Sequence, residues 1–310
     1  MQWFGLGTVL IWTEGTEPSS PRAMPSDARA RLASIGRILP SEMSARLDLA
    51  NAQVLIDSGQ VAAALPFAER AQAVLYPLVQ SPSERRQAVF PLARVLRDSG
   101  RHDLADRWFR EALRAQIEGG QQSHPYTAGD YVGIARNLMM QGKHEDALAL
   151  LNSAPKFQAI SGEGTLNPDR YNLMIQRARS AVYLSAGDAK RALIEFPYLS
   201  LDEPSDRPEA LLILGQAWCE SGDPARGLEA LRESLVAMER IGDDDRAPWT
   251  ARLRAVVGRC ALLVGDRSDA IARARQARAA FTAQPEVSPY YEAPLIKLEA
   301  ALGIRIVTTR

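Results

Sequence analysis

Six copies of one spacing run along this chain: a small residue, an apolar position three later, a glycine four beyond that, and a small residue five beyond the glycine. The glycines are Gly59, Gly100, Gly142, Gly187, Gly222 and Gly265. Seven residues before them stand Ala52, Ala93, Ala135, Ser180, Gly215 and Gly258, and four before them Leu55, Leu96, Leu138, Tyr183, Trp218 and Ala261. Five after them come Ala64, Ala105, Ala147, Ala192, Gly227 and Ala270. Offsets of three and four return to one helix face, so each copy reads as two helices joined at the glycine. A left-handed helix end is cheapest without a Cβ, which accounts for the glycine. Antiparallel helices approach closely only where the facing side chains are small, which accounts for the positions on either side of it.

Four and seven residues past the second small position lie Phe109 and Ala112, Leu151 and Ala154, and Phe196 and Leu199 in successive copies. One hairpin cannot bury both of its apolar stripes, so neighbouring hairpins must stack into a continuous core. From Ser26 onward helix follows helix, with almost none of the period-two alternation of strands. Ser26 to Leu39 reads as a leading helix ended by Pro40. Pro289 to Leu302 reads as a closing helix, with Tyr290, Tyr291, Leu295 and Leu298 covering the last hairpin and Lys297 and Glu299 facing water.

The frame of Ala93, Leu96, Gly100, Ala105, Phe109 and Ala112 resembles the tetratricopeptide repeat. The glycines are spaced by 41, 42, 45, 35 and 43 residues, longer than the basic repeat of about 34. This is similar to the longer variety found in kinesin light chains and bacterial regulatory proteins. His124-Pro125-Tyr126-Thr127, ahead of the third copy, is similar to the His-Pro lead-in of that variety. The resemblance implies an all-α fold: a right-handed α-solenoid of about six helical hairpins with flanking capping helices over 26–305. An apolar and linker tail over 1–25 precedes it, and a short tail over 306–310 follows. Gly227 and Ser234 depart from the pattern, standing where the fifth copy would carry alanines, and Ala261 and Ala274 fill the sixth weakly.

With 46% hydrophobic and 24% charged residues the chain can bury a core along most of its length. Its formal net charge of zero removes the basic field that drives nucleic-acid binding, so no nucleic-acid partner is expected. The apolar run Trp3 to Trp12 is shorter than the roughly 20 residues that cross a bilayer. It is expected to be a tail, the alternative being the end of a truncated membrane helix, and Thr13 to Pro25 follows as a linker. The two cysteines, Cys219 and Cys260, lack the paired spacing of a zinc site or disulfide framework. They are expected as buried structural thiols in a reducing, cytoplasmic setting, the alternative for Cys219 being a redox thiol. His102 and His144 each stand two after a repeat glycine and suit a turn role. Asp243-Asp244-Asp245 suits a solvated loop before a helix starting near Pro248. No phosphate-binding, hydrolase or metalloprotease motif occurs, so neither an enzyme nor a cofactor is expected.

In a tetratricopeptide stack the first helices line the concave face. The resemblance therefore assigns groove exposure to positions thirteen, ten, six, three and two before each glycine. These carry Arg94, Arg97, Arg136, Arg177, Arg252 and Arg259, interleaved with Leu49, Phe90, Val132, Met139, Met140, Leu184, Leu212 and Leu262. The acidic residues in that register are Asp57, Asp98, Glu209 and Glu220. The expected peptide-binding groove is thus Arg94, Arg97, Arg136, Arg177, Arg252, Arg259, Phe90 and Met139, net basic and partly apolar. Guanidinium groups grip carboxylates bidentately, which suits an acidic or C-terminal peptide. The other reading is that these arginines pair with local carboxylates. The expected function is a non-catalytic scaffold for a protein or peptide. The alternative is a peptide- or ligand-sensing regulatory domain of a bacterial kinase or transcriptional regulator. The spacer Lys156 to Asp169 is a further candidate for ligand contact, since insertions cluster on one face of repeat arrays.

Overall fold

The computed structural model describes residues 41–156, 168–202, 206–240, 247–284 and 286–304, and those residues contain helices and no strand. The expected leading helix, both tails, Asp243 to Asp245 and most of Lys156 to Asp169 lie outside them. Six hairpins occupy the described residues: α1 (Ser41–Asp57) with α2 (Val61–Leu75), α3 (Pro82–Asp98) with α4 (His102–Glu118), and α5 (Pro125–Met140) with α6 (His144–Ser153). Then come α7 (Pro168–Ser185) with α8 (Ala189–Ile194), α9 (Arg207–Ser221) with α10 (Pro224–Arg240), and α11 (Pro248–Leu263) with α12 (Arg267–Ala283). A closing helix α13 spans Pro289–Leu302.

Local chemistry sets these boundaries. Proline opens α3, α5, α7, α10, α11 and α13, where its fixed φ suits the first turn and its missing N–H has no intrahelical partner to lose. Ser81 caps α3 by accepting from the Glu84 N–H at 3.2 Å. All six repeat glycines adopt positive φ, from 72° at Gly59 to 106° at Gly222. At the first of them, the Gly59 and Gln60 N–H groups donate to the Ile56 and Leu55 carbonyls at 3.0 and 2.8 Å. Carbonyls that the helix end would leave orphaned are thereby satisfied.

The small positions are where the helices cross. Ala52, Ala93, Ala135 and Ser180 on the first helices, and Ala64, Ala105, Ala147, Ala192 and Ala270 on the second, are wholly buried. The fifth hairpin departs for a steric reason: a Cβ on Gly227 would lie 2.6 Å from the Gly215 carbonyl oxygen, so this crossing needs glycine on both sides. Ser234 fits as well, its hydroxyl donating to the Pro208 carbonyl at 2.7 Å. His102 and His144 join consecutive hairpins, through Asn137 Oδ1 at 2.9 Å and Ser185 Oγ at 3.1 Å.

Two expectations are corrected. Leu199 is 69% exposed, because α8 stops after Ile194 and the chain turns away through Pro197 into a 3-10 turn at Tyr198–Leu201. Glu299 does not face water: it is buried against Arg278, whose Nη2 approaches its Oε2 to 2.6 Å.

First helices of neighbouring hairpins are also tied by Arg86 of α3, whose Nε lies 2.7 Å from Asp130 Oδ1 of α5. Asp130 is wholly buried, and burial outweighs Arg86 to push its carboxyl up to about 6. A carboxyl raised in the folded state adds stability that is full below its unfolded value near 3.8 and is lost as pH rises through 6. Relative to Asp130→Asn, the wild type should therefore lose about 2.4 kcal/mol between pH 4 and pH 7, at 1.36 kcal/mol per unit. Parallel urea midpoints for the two proteins across that range would refute the assignment.

Candidate functional site

The six first helices stand side by side and curve until the end of the stack returns to its start. Asp98, at the end of α3, receives the Tyr291 hydroxyl of α13 at 2.9 Å on its carboxylate and the Ser288 N–H at 2.7 Å on its carbonyl. The turn at Gly59 is pressed against Ala247 and Pro248, ahead of α11. Burial first, then the Asp98 carboxylate, pushes the Tyr291 hydroxyl far above its ordinary range, so it remains a donor. Arg97 completes the seam with Nε and Nη2 at 2.7 and 3.1 Å from the two Asp98 oxygens. Val287 and Tyr290 pack against apolar clusters from both ends of the chain.

Inside the ring lies a cavity of about 330 Å³, open to solvent, to which every first helix contributes. Its lining follows the repeat register. Arg94, Ala181 and Gln216 stand six before a turn glycine, Ile56, Arg97, Met139 and Leu184 three before, and Asp57, Asp98, Met140 and Ser185 two before. Glu209 and Arg252 enter from thirteen before, and Leu212 from ten before. Of the sequence-predicted groove residues, Arg94, Arg97, Arg136, Arg252 and Met139 line this cavity. Arg177, Arg259 and Phe90 are not among its lining residues: Phe90 stacks edge-on against Phe109 at 5.5 Å with Arg86 over its face, and Arg259 meets Glu220 at 3.4 Å.

The arginines bring carboxylates with them. Arg94 meets Asp57 at 3.1 Å, Arg97 meets Asp98, and Arg136 meets Glu209. Arg177 meets Asp206 at 3.0 Å and Glu209 at 3.2 Å. Burial alone would raise the Glu209 carboxyl, but the Arg136 and Arg177 guanidiniums outweigh it and hold Glu209 below its ordinary range. Arg252 donates to the Tyr290 carbonyl at 2.9 Å and lies 4.1 Å over the Tyr290 ring. The cavity wall therefore carries four arginines against three carboxylates, Asp57, Asp98 and Glu209.

Sequence reasoning did not place Trp249, Met238, Tyr290 or Tyr291 in the cavity wall. The tyrosines were expected only as a cover for the last hairpin, and nothing in the repeat register marks residues that reach the cavity across the seam. The cysteines were also misjudged: Cys219 of α9 and Cys260 of α11 are joined as a disulfide, with Cα atoms 5.8 Å apart. Their separation of 41 residues is close to the 43 between Gly222 and Gly265, so one repeat carries the second cysteine to the level of the first. Among the described residues no group of three or more His, Cys, Asp or Glu converges to hold a metal, and no helix is long and apolar enough to cross a membrane.

No family model and no curated protein matches the chain in sequence. Solved structures do match in shape. A Rap protein complexed with Competence and Sporulation Factor aligns with a TM-score of 0.61 at 17% identity, covering 90% of this chain and 80% of that one. The Rap conjugation gene regulator of plasmid pLS20, in complex with the Phr* peptide, aligns at 0.57 and 16%, covering 92% and 72%. NprR in complex with its cognate peptide NprX aligns at 0.57 and 14%, covering 89% and 77%. At such identities the likeness shows the fold, and with the hairpins and their turn glycines it makes this chain a tetratricopeptide-type α-solenoid.

Proposed function

We propose that this chain is a non-catalytic, peptide-binding module whose cavity holds a short segment with a carboxylate directed at Arg94 and Arg136. The convergence of all six first helices on one cavity carries this reading. Its volume falls within the roughly 300–1,000 Å³ of small-ligand sites. Its wall combines arginines with Met139, Leu184, Leu212 and Trp249, an arrangement suited to peptide side chains. Exposure sorts the arginines. Arg97 and Arg177, with 9% and 4% of their side chains exposed, hold the wall together. Arg94 and Arg136, at 26% and 33%, can reach a ligand. The partner of Arg94, Asp57, is itself 57% exposed, and such a pair contributes little, so a ligand carboxylate can replace it at small cost.

Two of the structural neighbours are complexes with peptides, and one of these is a gene regulator, which supports both the ligand class and a second reading. In that reading the chain is the sensing domain of a kinase or transcriptional regulator. The unit extends over 26–305, and its compartment is the cytoplasm. A random peptide library selected on the protein should yield sequences carrying Asp, Glu or a free C-terminus. They should bind Arg94→Glu at least tenfold more weakly, about 1.4 kcal/mol, and bind Arg259→Glu, changed outside the cavity wall, like wild type. A library with no enrichment, or peptides indifferent to Arg94→Glu, would end the reading.

A further inference from the structure

The chain has two cysteines, and folding places them against each other. In the first four hairpins the residue three before the turn glycine, Ile56, Arg97, Met139 or Leu184, lines the cavity. In the fifth hairpin that position is Cys219. It continues the face of α9 that presents Leu212 and Gln216 to the cavity, at offsets of four and three. Cys260 likewise continues the face of α11 that carries Trp249 and Arg252, through Val256. The bond thus ties the C-terminal halves of two parallel helices whose N-terminal halves form cavity wall. At the bond the packing is tight: a Cβ on Gly227 would lie 2.4 Å from Cys219 Sγ.

We infer that the Cys219–Cys260 pair is a reversible redox clamp on the cavity: oxidation fixes the spacing of α9 and α11, and reduction lets these two walls separate. In a reducing compartment a disulfide is transient and regulatory rather than a permanent staple. Closing the bond takes two electrons from the two thiols and passes them to a small disulfide such as oxidised glutathione. That disulfide leaves as two thiols carrying the two protons. Opening is the reverse exchange, and both residues are buried, Cys219 at 8% exposure and Cys260 at 1%. The pairing stands on geometry, its reversibility rests on the reducing compartment proposed above, and its effect on peptide affinity rests on the function proposed there.

The test equilibrates the full chain in a series of reduced-to-oxidised glutathione ratios spanning the cytosolic poise, quenches with acid, and counts free thiols by mass after alkylation. The bond is expected to pass from open to closed within the series. Tryptophan fluorescence, to which Trp218 and Trp249 both contribute, and the amide exchange of Arg207–Ser221 and Pro248–Leu263 should change with the same midpoint. Cys219→Ala should show the open-state exchange at every ratio, and if it fails to fold, wild type reduced and alkylated at both thiols takes its place. A bond that stays closed throughout is a permanent staple, and thiols that stay open throughout never pair; either result overturns the clamp. Identical exchange in the two states overturns it as well. Peptides selected as above should bind the two states with affinities at least tenfold apart. If no peptide is selected, the peptide reading fails while the thiol count and exchange still decide the clamp.

Discussion

Replacing Glu209 by alanine should cost about 3 kcal/mol of folding stability, the low end of the range for breaking a buried ion pair, since the Glu209 side chain is itself 21% exposed. Glu209 serves two guanidiniums at once, Arg136 across 73 residues and Arg177 across 32. Arg177 has only 4% of its side chain exposed, so losing a counter-charge strands part of a desolvated cation. Asp206 remains beside it at 3.0 Å, which keeps the loss at the low end. The pH dependence has a definite sign. A carboxyl held below its ordinary value adds stability that is full above about 4.5, the ordinary value, and is lost as pH falls through the depressed one. Glu209→Ala should therefore approach wild type in acid and fall furthest behind it near neutrality. Urea denaturation at pH 3 and pH 7 checks this, and an equal deficit at both would refute the network.

Gly59→Ala should destabilise the protein far more than Gly142→Ala, although both glycines have nearly the same φ, 72° and 77°. A Cβ at Gly142 meets nothing within 4 Å, so that change carries only the backbone strain of a left-handed alanine, about 1–2 kcal/mol. At Gly59 the new methyl carbon would lie 2.4 Å from Ala247 Cβ and 2.6 Å from Ala247 Cα. Backbone cannot yield there as a flexible side-chain tip could, so overpacking adds roughly 1–3 kcal/mol or the ring opens at its seam. Exchange at Ala247–Trp249 and the small-angle scattering radius separate those outcomes. Equal costs for the two variants would show that the seam contributes nothing to stability.

The hairpins could be read from the chain because their determinants are local. Offsets of three, four, five and seven residues decide which side chains share a face, and a glycine beyond the last turn decides where a helix ends. The register that faces the cavity could be read too, since Arg94, Arg97, Arg136, Met139 and Arg252 stand at repeating offsets from those glycines. What each of them meets could not be read. Phe90 shares the register and packs into the core, and Arg177 shares it and is taken up by carboxylates of the next hairpin. Those partners depend on helix lengths and on spacers that shift one hairpin against the next.

By itself, then, the sequence determined six nested hairpins and which face of each lines the inner surface. Only the tertiary structure decided that the stack closes on itself, that Asp98 receives Tyr291 from 193 residues away, and that two cysteines in separate repeats meet. The physical reason is that a solenoid's curvature is the sum of small rotations between neighbours. A residue pattern specifies each interface, but whether the last repeat reaches the first depends on how all the interfaces add up.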